Sequence, residues 1–154
     1  MEASHRSQEF IDTTMLLEKQ FREVMKVPEN FSVFLVQGGA TLQFSAIPFN
    51  LMGHKFGEPD GVVNFLHTGY WSEKAGREAG KYLRVNQVNK PASCPEEFYK
   101  NVLDLDSWTV DKSAGYFHVC QNETIEGVEY HPEFTRKMID KIKSVNPEAV
   151  IVSD

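Results

Sequence analysis

Short runs rich in β-branched and aromatic residues alternate along this chain with segments of helical spacing, and that alternation limits the fold more than any other feature. The runs cover residues 31–36, 62–67, 82–88, 115–120 and 149–152. Apolar residues recur at close to 3.6-residue intervals over 7–27, 41–53, 72–81 and 132–144. The first of these carries Phe10, Met15, Leu17, Phe21, Val24 and Met25 as one stripe and closes at a Pro28-Glu29-Asn30 turn. A buried strand is expected at 31–36, stopped by Gly38-Gly39, with a helix after it in which Pro48 marks a kink. Strands separated by helices pair in parallel, so the pattern predicts an α/β architecture on a mostly parallel sheet.

Length and charge narrow the function. With 154 residues, 41% of them apolar, the chain suits one domain of ordinary size, and no apolar run reaches the ~18 residues of a membrane span. The opening MEASHRSQEF has no secretory-leader pattern. Cys94 and Cys120 show no C-x-x-C spacing and read as reduced thiols. Sixteen Lys and Arg against twenty-two Asp and Glu give a formal charge of −6, which argues against a nucleic-acid partner. His54, His67, His118 and His131 lack ligand spacing, so no metal is expected, and no G-x-S-x-G elbow supports a serine hydrolase.

In an open α/β sheet, ligands bind beyond the carboxyl ends of the strands, and several polar or aromatic residues fall there. Gln37-Gly38-Gly39-Ala40-Thr41 lies between a strand and a helix, where free amides can hold a phosphate; a glycine turn capped by Thr41 is the alternative. Trp71 follows a strand and either stacks on a flat ligand or packs in the core. Asn122-Glu123-Thr124 offers a hydroxyl and an amide past another strand, or forms a plain polar turn. Asp154 is a carboxylate at a strand end, suited to a protonated ring nitrogen. His5 and Arg6 together suit a carboxylate or phosphate, or form a solvated pair.

Four stretches share order and spacing with one family: M-E-A-S-H-R-S at the start, Q-G-G-A-T-L-Q-F-S-A-I-P-F-N-L at 37–51, G-Y-W-S-E-K-A at 69–75, and C-Q-N-E-T-I-E-G-V at 120–128. Together they resemble the phosphoserine aminotransferases. The resemblance implies a fold-type I enzyme with helices on both faces of its sheet, using pyridoxal 5′-phosphate. The implied reaction moves an amino group between O-phospho-L-serine and 2-oxoglutarate, with glutamate as the counterpart, in serine biosynthesis. It implies Ala40 and Thr41 at the cofactor phosphate, Trp71 stacked on the ring, Thr124 at its edge and Asp154 on the pyridine nitrogen. His5 and Arg6 match the pair that faces the substrate's distal acid group. The family's Schiff-base lysine finds no counterpart among the lysines here.

On this reading residues 1–154 form a single partial domain, a piece of the large cofactor-binding domain without the amino-terminal arm, the lysine segment or the small domain. The isolated chain is then inactive, while the complete protein is a cytoplasmic homodimer with no membrane or nucleic-acid partner. A non-catalytic phosphate-binding or subunit-interaction fragment is the competing reading, and a third is a poorly folding piece with exposed apolar surface. Ala40 and Leu42 stand where the family carries glycines, so backbone strain is expected if either needs a positive φ.

Overall fold

The structure is a computed structural model that describes residues 3–89 and 94–154. The chain divides into two compact units, Met1–Gln37 and Gly38–Asp154.

The first unit is built on α1 (Gln8–Met25). Ser7 caps it, its Oγ accepting from the Phe10 amide at 3.3 Å, and Lys26 ends it in the left-handed conformation at φ 51°. The expected stripe forms, but no residue of α1 is buried. The buried strand expected at 31–36 does not form, and this corrects the sequence reading. Phe34, Leu35 and Val36 have no assigned strand and Phe34 is 79% exposed. A strand needs neighbouring strands for its amides and carbonyls, and within this unit the described residues provide none.

The second unit holds a four-stranded parallel sheet. Its strands are β1 (Val62–Phe65), β2 (Arg84–Gln87), β3 (Tyr116–Val119) and β6 (Val150–Ser153), in the order β2-β1-β3-β6. The central β1 and β3 are buried throughout, as continuous apolar runs in a parallel sheet should be. A two-stranded antiparallel hairpin, β4 (Asn122–Glu123) with β5 (Val128–Glu129), follows β3 directly.

Helices α2 (Gly39–Met52) and α3 (Tyr70–Ala79) supply Phe44, Met52, Ala75 and Ala79 to a core that includes Val63, Phe65 and Tyr116 of the sheet. Helices α4 (Pro95–Leu103) and α5 (Pro132–Val145) supply Val102, Met138 and Ile142 to a second core with Phe117 and Val119. Adjacent residues Tyr116 and Phe117 thus belong to opposite faces, the period-2 signature of a strand covered on both sides. The α/β class with helices on both faces is what the sequence pattern and the resemblance led us to expect. α2 runs through Pro48, which is buried. Residues 90–93 lie outside the described residues, and α4, which the sequence pattern did not announce, begins shortly after them.

The sheet order has one reversal. From β1 the chain passes to β2 on one side, then returns to place β3 on the other side of β1 and β6 beyond it. A crevice opens between strands whose connections depart in opposite directions, here at the carboxyl ends of β1 and β3.

Candidate functional site

Three segments of the second unit reach that crevice from strand ends, and a fourth is the start of α2. Gly38 and Gly39 take φ values of 92° and 58°, bending the chain into the helix. Gly38 is the cap and has no side chain to bond the first turn, and that turn holds no acidic residue. The leading amides of α2 therefore lack intrahelical acceptors and present the positive end of the helix dipole. The glycine turn forms, but its cap is Gly38 and not Thr41.

The strain expected at Ala40 and Leu42 is absent, because Lys26 is the only non-glycine residue with positive φ among those described. The left-handed positions fall on the two glycines instead. Leu42 depends on one of them, since a Cβ on Gly38 would lie 2.3 Å from its Cδ2.

Trp71 stands at the first turn of α3 and belongs to neither core. Its indole N–H donates to Thr124 Oγ1 at 2.9 Å, and its ring packs edge-on against Tyr70. The Lys74 ammonium lies 5.4 Å from the Trp71 ring centroid and donates to Thr41 Oγ1 at 3.3 Å. A cation thus joins the start of α2 to the indole wall, a link that sequence reading missed.

Glu123 was also missed as an individual residue. It is 0% exposed, and its Oε1 accepts from the Ser72 amide at 2.9 Å and from the Thr68 hydroxyl at 3.2 Å. Its Oε2 accepts from the Trp71 amide at 2.8 Å. A buried carboxylate thereby caps α3, whose formal cap residue is Gly69. The lack of a side chain at Gly69 matters here, because a Cβ there would lie 2.8 Å from Glu123 Cδ.

Asp154 extends β6. Its amide donates to the Val119 carbonyl at 2.9 Å and its carbonyl accepts from the Gln121 amide at 2.8 Å. Burial, and then the Glu123 charge, hold its carboxyl above the ordinary carboxylate range. Cys120 is pushed up to about 12, first by burial and then by the charges of Glu123 and Asp154, so it is a neutral thiol. His118 is drawn down to about 4 by burial, against an opposing pull from Glu123, and its neutral ring stacks on Phe65 at 4.6 Å.

Ala40, Trp71, Thr124 and Asp154 line one cavity of about 220 Å³, with Phe44, Cys120 and Asn122 completing its wall. Thr41 adjoins it through Lys74. Larger hollows exist, including one of about 280 Å³ beside His67, Glu73 and Arg77. Size does not select the site; the meeting of three strand ends with a helix amino terminus does. His5 and Arg6 lie in the first unit, exposed in the turn ahead of α1. Among the described residues, no group of three or more His, Cys, Asp or Glu side chains is arranged to hold a metal ion. No described helix is long and apolar enough to cross a membrane.

A phosphoserine aminotransferase of Hahella chejuensis is 44% identical over 130 residues, which cover 84% of this chain and 34% of that protein. Its counterpart in Acinetobacter baylyi is 38% identical over the same shares. Both of these relatives of the chain are phosphoserine aminotransferases. The chain spans about a third of the length of the curated relatives it matches. Among solved structures, a PLP-bound phosphoserine aminotransferase from Trichomonas vaginalis is 38% identical with a TM-score of 0.71, over 84% of this chain and 35% of that one. Another phosphoserine aminotransferase structure, from work on radiation damage of its Schiff base, matches 100% of this chain and 38% of that one at 29% identity and TM-score 0.75. No protein-family model matches the sequence. The parallel sheet and its helices are accordingly those of the phosphoserine aminotransferase fold.

Proposed function

We propose that this chain is the part of a phosphoserine aminotransferase that cradles pyridoxal 5′-phosphate, and that residues 1–154 form a portion of its large domain. The observation that carries the reading is the convergence of Ala40, Trp71, Thr124 and Asp154, far apart in sequence, on one cavity. The donor set fits the cofactor's chemistry. Open amides at the start of α2, with Thr41 and Lys74 beside them, suit a phosphate. The indole of Trp71 supplies a flat wall, and Thr124, already accepting the indole N–H, keeps its hydroxyl at the cavity. Asp154 suits a cationic ring N–H, which would balance a carboxylate whose charge is otherwise disfavoured by burial and by Glu123.

When bound, the cofactor supplies an electron-accepting ring that carries the amino group. Asp154 would accept the pyridine N–H and favour a proton on that nitrogen, Trp71 would offer a flat wall for the ring, and the start of α2 would hold the phosphate. Cys120, a neutral thiol, shapes the wall without competing as a nucleophile. His5 and Arg6, in the first unit, suit an acid group such as the phosphate of O-phospho-L-serine or the distal carboxylate of glutamate, through charge-assisted bonds. Among the described residues, no lysine lines the cavity. The resemblance implies a covalent anchor and proton base outside the stretches matched here, and on that reading this chain would bind the cofactor without turning substrate over. The complete protein is then a cytoplasmic homodimer exchanging the amino group between O-phospho-L-serine and 2-oxoglutarate.

Titration of the chain with pyridoxal 5′-phosphate, followed by the cofactor's own absorbance after equilibrium dialysis, tests this. Saturable binding weakened by Asp154→Asn and by Trp71→Phe is expected. Binding indifferent to both substitutions refutes the cradle. A subunit-interaction fragment is the second reading, favoured by the apolar side chains exposed across 1–37, among them Met15, Phe31 and Phe34. A complex with an intact phosphoserine aminotransferase subunit, seen by light scattering, would support it.

A further inference from the structure

We propose that Glu123 is the positioning residue of this site, its buried carboxylate holding Trp71 and the first turn of α3 in place over the cavity. The inference rests on the reading of that cavity as the cofactor cradle. Two consecutive amides, Trp71 and Ser72, point at the two oxygens of one carboxylate, at 2.8 and 2.9 Å. The Thr68 hydroxyl adds a third bond, and the Thr68 and Gly69 amides are taken by Ser72 Oγ at 2.8 and 3.0 Å. Every amide at this helix start with a bond to Glu123 or Ser72 is thereby oriented by a side chain that is itself buried.

Glu123 adjoins Thr124, which accepts the Trp71 indole N–H. The backbone and the ring of Trp71 are therefore tied to adjacent residues at the end of β4, the backbone by Glu123 and the ring by Thr124. Freedom at either tie lets the ring turn away from a flat ligand. An amide in place of the carboxylate cannot repeat this arrangement, because its NH2 would face a backbone N–H donor. The same charge also acts on the far wall, being one of the two influences that raise the Asp154 carboxyl. Glu123 is thus coupled to both the stacking side chain and the acid of the site without lining the cavity.

The test uses the whole chain and its two tryptophans, since Trp108 donates its indole N–H to the Asn101 carbonyl and serves as an internal control. In nitrogen-15 spectra, Glu123→Gln is expected to speed amide exchange at Trp71 and Ser72 at least tenfold and to shift the Trp71 indole resonance. Trp108 stays unmoved, and affinity for added pyridoxal 5′-phosphate falls about tenfold, the size expected for losing a bond to a charged group. Thr124→Ala should release the indole alone and leave both backbone amides protected. Unchanged Trp71 signals in Glu123→Gln overturn the proposal, whereas a Trp108 resonance that collapses with them marks a general loss of fold and passes the decision to the unsubstituted chain. If Glu123→Gln does not fold, the unsubstituted chain decides: slow exchange at both amides supports the assignment, and free exchange overturns it. If the unsubstituted chain takes up no pyridoxal 5′-phosphate, the cradle reading fails while the exchange data still judge Glu123.

Discussion

Replacing Gly69 by alanine gives a direct measure of how tightly the Glu123 carboxylate is held. The backbone there is extended, at φ 171°, so alanine adds no conformational strain. What it adds is a methyl 2.6 Å from Glu126 Oε2, 2.8 Å from Glu123 Cδ and 2.9 Å from Glu123 Oε2. Glu126 is exposed and swings aside at little cost. Glu123 is buried and tied to Thr68, Trp71 and Ser72. Reaching the 3.4 Å of ordinary contact requires a retreat of 0.6 Å, that is 3.4 minus 2.8. Taken along the Trp71 bond, that retreat stretches 2.8 Å to about 3.4 Å, past the range of a good N–H···O bond. Bonds to a charged acceptor contribute about 1.5–3 kcal/mol each, and two of them weaken together. Removing a glycine from the unfolded chain returns about 0.4–1 kcal/mol. The net expectation is a loss of about 2 kcal/mol. Urea unfolding followed by circular dichroism measures it, with Gly76→Ala as the control. Gly76 sits inside α3 with Phe65 Cδ1 at 3.5 Å from its added Cβ, so that substitution should be neutral or stabilising by up to about 1 kcal/mol. A Gly69→Ala loss below about 0.5 kcal/mol, the scatter of ordinary surface changes, refutes the idea that the carboxylate is fixed.

Three further outcomes follow from the charges around the site. Asp154 has its carboxyl raised in the fold, so it favours the folded state when protonated, and that advantage fades as pH climbs from the ordinary 3.8 through the raised value. Asp154→Asn should therefore flatten the acid limb of the stability profile in pH-dependent urea titrations, while weakening cofactor binding. His118 has its folded value lowered from 6.5 to about 4, so the stability it contributes is complete above 6.5 and is lost as pH falls toward about 4. That interval corresponds to about 3 kcal/mol at most, and His118→Phe, which keeps a ring on Phe65, should remove this acid sensitivity in thermal melts. With a thiol-reactive disulfide at pH 8, exposed Cys94 should react quickly and buried Cys120 slowly; equal rates would contradict the environment described for Cys120.

How far the sequence could be read depended on how local each signal was. The buried runs of β1 and β3 and the apolar stripe of α5 depend on residues a few positions apart, and all three elements formed close to where periodicity put them. Residues 31–36 have equally good strand composition, yet a strand is defined by its neighbours, and composition does not supply them. α4 was hidden because a proline and two glutamates open it, while β4 and β5 are too short to show a period. Trp71, Thr124 and Asp154 were legible singly because each lies next to a strand, whose ends the topology brings to one edge, while Ala40 opens α2 without a strand before it and only the family resemblance joined the four into a set. Lys74 and Glu123 were not, since each acquires its role from partners more than thirty positions away.

Those two residues also explain why the cavity has a direction. At one end is the start of α2, with the Lys74 ammonium beside it through Thr41, a positive boundary. At another are Asp154 and, behind it, Glu123. Glu123 directs its charge at three donors of the protein itself, whereas burial and the Glu123 charge disfavour the ionised form of Asp154. A ligand that satisfies both walls carries an anion at one end and a cationic N–H at the other, with a flat body to lie against the indole. Reversing the ligand would set its anion against Asp154, so the electrostatics choose the orientation before any covalent bond is made. This directionality would survive Trp71→Phe, which changes the stacking wall alone, and would be lost in Asp154→Lys, which makes both walls positive. Inorganic phosphate competition separates the two variants: it should displace the cofactor from the first as from the unsubstituted chain, and it should bind the second more tightly than either.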